Sequence, residues 1–532
     1  MERFVAVKQP HFSARDRFEL GVLIAFVVIA VAAAIWVDAR QATIVQSSAD
    51  ANIDVYASAM PNNGWAPLTV YYSAFGSQSP QGSIVRYEWD LDGNGAFEFD
   101  ATQQGGYASY LYTKPGDYEI SLRVTDQAGN TAIDSTTITV QTPASSSVDY
   151  WSIFDDTRLQ KVTISLTQSD WDAMWEDVEA KLTVPADANV FGETLEDVGF
   201  RFRGQFSMRM SGEKKPWKID TDYYVFDQEY KNLKQLMFIN NIGDASMMQE
   251  KLMYEMMQFA GLPASFVSYV ELWIDISDND QPPEYWGVYS MVERVDQKFV
   301  GNRFGRDAKG GNLYKASHAQ FGPMDLIYYG PDISSYPFQN GGYAYSKVNN
   351  EEEADYSDVI RLMYVLDGVS YDTPEDWAAA AEEVINVDSF LRYMAVTDLV
   401  GNWDSYPYTG NNYYLFYNQI DERFEWIPWD LSWGGEVEKP LFQRDSFGMV
   451  ERVPMYDNAF QVERYRVQYA AYLDLLTRNY FNPTNMNERV RFFYQEISPM
   501  ISYGTGDKMF YAEDGWFQPA DFDASVQHIL TF

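Results

Sequence analysis

In a chain with 77 acidic residues against 39 lysines and arginines, one stretch is basic. Arg201, Arg203, Arg209, Lys214, Lys215 and Lys218 place six cations in eighteen residues, where the chain average gives about 1.3, and only Glu213 opposes them. They flank a glycine turn, Arg203-Gly204-Gln205-Phe206-Ser207. Ammonium, guanidinium and backbone N–H groups beside such a turn are the donors a polyphosphate requires. A solvated basic hairpin balancing the surrounding acid is the plainer alternative. Far along the chain stand GNWDSYPYTGNNYYLFYN (401–418) and RFEWIPWDLSWGG (423–435). In them Asp404 follows an apolar helical run, Asp430 ends a strand-like run, and Asn411 and Asn412 lie between. Two carboxylates and an amide at element ends can bind Mg²⁺ and orient an attacking hydroxyl, although each also suits an Asx turn. A third feature is Glu255. At about 100° per residue it shares a helix face with Met248, Leu252, Met256 and Phe259, which leaves Glu250 on the opposite, wet side. A carboxylate in an apolar stripe needs a cation, and Lys218 on the preceding strand is the candidate partner. At the stripe's edge Glu255 would instead reach water.

The elements that must position these groups are legible as a change of texture near residue 150. Before it, NIDVYASA, LTVYYSAF, SIVRYEWD, DYEISLRVTD and TAIDSTTITV alternate with period two and are separated by Pro- and Gly-containing turns, which predicts an antiparallel sandwich over 50–142. After it, strands (KVTISLT, VGFRFRG, KPWKIDT, FVSYVELWID, GVYSMVERV, GNLYKA) mix with helical patterns at 247–260, 355–367, 374–385, 387–400, 460–479 and 486–501. This predicts one α+β domain over 150–532, joined to the sandwich by the polar stretch Pro143 to Asp149. Within the first unit, Asp90, Asp92, Asn94 and Gly95 have the spacing of a Ca²⁺ loop, but position twelve is Ala101, so a plain hairpin turn is the preferred reading.

Composition excludes several classes. A net charge of −38 opposes non-specific binding to nucleic acid. Without cysteine there is no disulfide, thiolate nucleophile or Cys-based zinc site, and His11, His318 and His528 are too scattered for a histidine metal site. Residues 20–37, LGVLIAFVVIAVAAAIWV, are uninterruptedly apolar and nearly span a hydrocarbon core of about 30 Å. Arg3, Lys8, Arg15 and Arg17 precede the run and Asp38 follows it, so the positive-inside bias predicts a single-pass anchor within residues 1–40, N-terminus cytoplasmic and body outside. A cleaved signal peptide would also leave the body outside.

Two resemblances sharpen these readings. YEWDLDGNG (87–95) and KPGDYEISLRVTDQAGNTA resemble the turn and strand pair of the PKD family of immunoglobulin-like domains. KNLKQLMFINN, EKLMYEMMQFAGLPA, GVYSMVERVD, NLYKA, DLIYYG, GNWDSY…NNYYLFY, FEWIPWDLSWG and the helical tail with YFNP resemble, in order, the CotH family of atypical kinases across about residues 150–530. That resemblance implies a reduced protein-kinase-like fold that binds ATP with Mg²⁺ or Mn²⁺ and phosphorylates protein hydroxyls. It further implies that Arg203, Gly204 and Ser207 form the phosphate-covering turn. Lys218, in preference to Lys215, would contact the α/β-phosphates and pair with Glu255, and Val292, Glu293 and Arg294 would form the adenine-side hinge. Asp404 would orient the acceptor hydroxyl, and Asn412 and Asp430 would hold the metal. Phe206 is bulkier than the small residue of the family's turn, and Ser432 stands where many relatives carry a second acid. The H-R-D and D-F-G signatures and a Walker A loop are absent. A non-catalytic surface protein with a kinase-like scaffold is the second expectation, and a hydrolase using Asp404 and Asp430 as an acid/base pair a weaker third.

Overall fold

The computed structural model describes residues 53–142, 149–210, 212–432, 450, 452–512 and 515–531. The apolar run 20–37, and with it the expected membrane anchor, lies outside these residues. Among the described residues no helix is long and apolar enough to cross a membrane.

The period-two segments form eight strands: β1 (Ser58–Met60), β2 (Asn63–Trp65), β3 (Leu68–Ser73), β4 (Ile84–Asp90), β5 (Phe99–Asp100), β6 (Ala108–Tyr112), β7 (Gly116–Asp126) and β8 (Thr131–Gln141). They build a three-stranded sheet, β1-β3-β6, and a five-stranded sheet, β2-β8-β7-β4-β5. In β7 the alternation is direct: Ile120, Leu122 and Val124 are buried while Ser121 and Arg123 lie nearer solvent. With Val70, Tyr72 and Trp89 they form the core of an all-β immunoglobulin-like sandwich.

Seven further strands close into a barrel: β9 (Gln160–Leu166), β10 (Val184–Val190), β11 (Glu193–Phe202), β12 (Trp217–Asp220), β13 (Gln235–Ile239), β14 (Val267–Ile276) and β15 (Glu284–Val292). Their order is β10-β11-β12-β13-β15-β14-β9, with β9 and β14 running parallel. Closure pairs every edge that an open sheet would leave bare. Alternation then sorts β12. Trp217 and Ile219 point into the barrel, where Trp217 packs on Phe200 and Phe202 with ring centroids 4.9 and 4.5 Å away. Lys218 is paired in register with Met237 of β13, whose side chain belongs to the core of the helical half.

That half carries β16 (Leu313–Lys315), β17 (Phe338–Gln339), β18 (Gly342–Tyr343), β19 (Ser346–Lys347), β20 (Tyr413–Asn418) and β21 (Arg423–Pro428), four of which form the sheet β19-β16-β20-β21. Its main helices are α1 (Gln249–Phe259), α2 (Val387–Leu399), α3 (Glu463–Asn479) and α4 (Pro483–Ile501). The α+β character is as expected, whereas the barrel closure is an addition. It depends on β10 and β13, which the period-two reading does not pick out.

The sandwich packs against both the helical half and the barrel. Met60 enters the same core as Met257 and Leu262, and Tyr71 lies 5.9 Å from Phe259, ring centre to ring centre. Asn62 Nδ2 donates to Asp388 Oδ2 at 2.8 Å. Trp65 stacks on Phe266 at 5.5 Å, with the Arg303 guanidinium 5.3 Å from its ring.

Candidate active site

The hairpin β20–β21 brings two separated polar segments together. Tyr413 is paired with Pro428, so Asn412 and Asp430 emerge at the same end of the ladder, and the Trp429 N–H donates to the Asn412 carbonyl at 3.3 Å. Both residues have left-handed backbone, with φ of +59° at Asn412 and +50° at Asp430. Asn and Asp adopt that region more readily than other side chains, and such strain gathers at functional sites. Asp404 reaches the same place from the loop after α2. Its Oδ1 accepts from Thr409 Oγ1 at 2.9 Å and its Oδ2 from Asn412 Nδ2 at 2.8 Å. Burial, with Asp430 adding like-charge repulsion, pushes the Asp404 carboxyl above its ordinary range.

The facing wall is cationic. Arg203 comes from the glycine turn, and the opposite charges acting on its partly buried guanidinium are Asp430 and Glu250. Gly204 has φ of +86°, and a Cβ there would sit 2.8 Å from Ser207 Oγ, so the turn requires glycine. Gln205 Nε2 donates to Gln320 Oε1 at 3.3 Å, which ties the turn to the segment beyond β16. Lys315 at the end of β16 lies over Trp429 and Tyr414, 5.3 and 5.6 Å from the ring centres. Burial and the neighbouring Arg203 lower its pKa to about 8, and Asp430 partly offsets them.

Glu250 and Lys315 were not singled out by the sequence. Glu250 is buried, and its carboxyl is pushed up to about 8 by desolvation and then by Asp430, with Arg203 opposing. The wet-face reading of Glu250 is therefore corrected. Helix α1 is enclosed from two sides, by the barrel and by the β20–β21 half, so a single-face pattern cannot place its residues. Tyr254, one turn on, uses its hydroxyl to accept from the Asp430 N–H at 3.1 Å.

The expected Lys218–Glu255 pair does not form. Lys218 Nζ lies 2.8 Å from Asp220 Oδ2, and burial lowers its pKa to about 8. Glu255 is held instead by Arg489 of α4, by Lys251 Nζ at 3.0 Å and by the Tyr480 hydroxyl at 3.1 Å. Two cations one helix turn and one helix away outcompete a lysine already held by its own strand's aspartate. Lys215 donates to the Met210 carbonyl, bracing the basic loop. Lys214 is sealed against Asp507 at 2.8 Å. Glu293 lies beyond the end of β15, where its Oε2 accepts from Arg303 Nη2 at 2.6 Å and from the Phe266 N–H at 3.0 Å. Its carboxylate thus serves the contact with the sandwich. Arg294, next to it, is among the charges acting on Lys315 and Lys218.

In the sandwich, carboxylate oxygens of Asp90, Asp92 and Glu98 come within 4.8 Å of one another. Those of Asp90 accept the N–H groups of Gly93 at 2.9 Å and Gly95 at 2.7 Å, and Asp92 accepts that of Asn94 at 3.2 Å. The turn is thereby held by its own amides.

A family model described as CotH kinase protein matches residues 200–532, and one described as PKD domain matches residues 56–140. Among solved structures, the PKD1 domain of Vibrio anguillarum Epp is 30% identical over 18% of this chain and 94% of its own, with a TM-score of 0.13. The PKD1 domain of the Vibrio cholerae metalloprotease PrtV is 29% identical over 17% and 95%, with a TM-score of 0.13. The PKD domain of human SorCS2 is 22% identical over 20% and 87%, with a TM-score of 0.14.

Proposed function

We propose, from the premise that the chain belongs to the CotH kinase family, that it transfers the γ-phosphoryl group of ATP to hydroxyl groups of a protein substrate. The observation that supports this most strongly is the meeting of Asp404, Asn412 and Asp430 at one end of a hairpin, opposite Arg203 and Lys315. Arg203 and Lys315 bind and orient the phosphates and offset charge on the transferring oxygens. Asp404, basic for a carboxylate and fixed by two donors, accepts the proton of the attacking hydroxyl.

Asn412 and Asp430 suit a hard divalent ion such as Mg²⁺ or Mn²⁺. The amide nitrogen of Asn412 is committed to Asp404, which leaves its carbonyl oxygen as the side-chain ligand atom, and Asp430 supplies a carboxylate at an exposed position. When bound, such an ion neutralises charge on the triphosphate. The membrane anchor and an extracytoplasmic body complete the reading, which rests there on the apolar run and its flanking charges. A second reading, a surface binding protein without turnover, is favoured by Ser432, whose hydroxyl lies 3.2 Å from Asp430 Oδ1 where many relatives carry another acid.

The test uses the whole chain in detergent with γ-labelled ATP and Mg²⁺ or Mn²⁺. Label incorporation that falls by about 100-fold or more in Asp404→Asn and Asp430→Asn supports transfer. Folded protein with no incorporation and no nucleotide-dependent rise in Tm overturns it and leaves the binding reading.

A further inference from the structure

We infer that one mouth of the barrel is a second ligand site, separate from the Asp404–Asp430 cleft, and that its ligand is a neutral carbohydrate. A cavity of about 570 Å³ opens there, within the range of roughly 300–1,000 Å³ typical of small-molecule sites. Its aromatic wall is Trp171 and Trp175, from the helix Gln168–Glu176, and Trp286 of β15. The Trp171 and Trp286 rings meet nearly at right angles, 72° with centroids 5.2 Å apart, while Trp171 lies nearly parallel to Trp217 beneath it at 5.8 Å.

The indole nitrogens of the buried tryptophans differ in their partners, and that of the core residue Trp426 has none. Buried tryptophans usually donate their N–H. Trp217 does so to the Tyr289 hydroxyl at 3.0 Å, and Trp89 and Trp377 to backbone carbonyls at 3.1 Å. By contrast, the buried Nε1 atoms of Trp175 and Trp286, both on the cavity wall, have no hydrogen-bond partner in the protein.

Charge narrows the ligand. Lys508 bridges Glu284 at 2.7 Å and Glu213 at 3.1 Å, and these half-exposed carboxylates, with Asp172, outnumber it. An anion is therefore disfavoured. An organic cation would seek the ring face of Trp286, but the Lys508 ammonium already stands 5.2 Å from that ring centre. What remains is a neutral molecule with hydroxyl donors for the half-exposed carboxylates and C–H faces for the rings. A pyranose ring has both.

The whole chain is titrated calorimetrically with cellopentaose, maltopentaose, an N-acetylglucosamine pentamer and tetramethylammonium. Saturable binding of at least one saccharide is expected, weakened about tenfold or more by Trp171→Ala and by Glu284→Gln. Glu284 is half-exposed, so its variant keeps the test valid should Trp171→Ala fail to fold by near-UV circular dichroism. Saturation by none of the three saccharides at about 10 mM, saturation by tetramethylammonium alone, or saccharide binding unchanged in Glu284→Gln would each overturn the inference. None of these outcomes depends on phosphoryl transfer.

Discussion

Asn412 donates through one amide nitrogen to both the backbone carbonyl and the side-chain carboxylate of Asp404, each at 2.8 Å. Asn412→Asp keeps an oxygen ligand but replaces that donor with a second acid. Phosphoryl transfer is expected to fall about 100-fold, and the acidic limb of its pH–rate profile to move upward because Asp404 becomes harder to ionise. A rate within about threefold of the parent, with the limb unmoved, would make the contact incidental.

Glu255 holds Arg489 and Lys251 in a partly buried network with Asp156. Glu255→Gln removes one of the two carboxylate charges that both cations face, and Lys251 is nearly sealed from water. The expected loss is about 1–3 kcal/mol in urea unfolding, with nucleotide affinity unchanged, because the network lies away from the Arg203–Lys315 wall. A lost nucleotide response with stability intact would return Glu255 to the phosphate site.

Glu425 is buried on β21 and accepts from Asn386 Nδ2 at 2.9 Å, and burial pushes its carboxyl up to about 7, with Arg423 opposing and Asp421 and Asp388 reinforcing. The folded pKa lies above the unfolded value of roughly 4.3. The stability of its neutral form is therefore complete below the unfolded value and lost as pH rises through about 7. Glu425→Gln keeps a neutral side chain, so parent and variant should unfold alike near pH 4, and the variant should be more stable above pH 8 by up to about 3 kcal/mol. A gap independent of pH would contradict this.

Lys214 and Asp507 are both sealed from water, and Asp507 also accepts the Val288 N–H at 2.7 Å. A Cβ on Gly287, whose φ is +128°, would fall 2.4 Å from the same carboxylate. Lys214→Met strands a buried charge and is expected to cost about 3–5 kcal/mol. Adding Asp507→Asn should recover at least about 1 kcal/mol, measured as a double-mutant cycle.

Where local pattern and tertiary environment agree, the sequence was easy to read. The sandwich strands, the helices near 249–259, 387–399, 463–479 and 483–501, and the polar ends at Asp404, Asn412 and Asp430 follow from period, caps and turn residues. Glu250 and Glu255 lie on a helix covered on two sides, where one stripe of apolar residues no longer marks the only buried face. Lys218 meets Asp220, which lies on its own strand face two residues along and is nearer than Glu255 in every extended conformation. Lys315 sits in a three-residue strand whose meaning comes from β20, about a hundred residues later, and no local signal announces it.

The placement of Met60 and Tyr71 against the helical half, and of Trp65 against the barrel, changes what counts as a unit. Two modules recognisable by sequence share one apolar seam, so melting either would bare oily surface on the other. Heat should thus undo both in a single cooperative step, with van't Hoff and calorimetric enthalpies equal. In that sense the border between the two sequence families runs through the interior of one thermodynamic body.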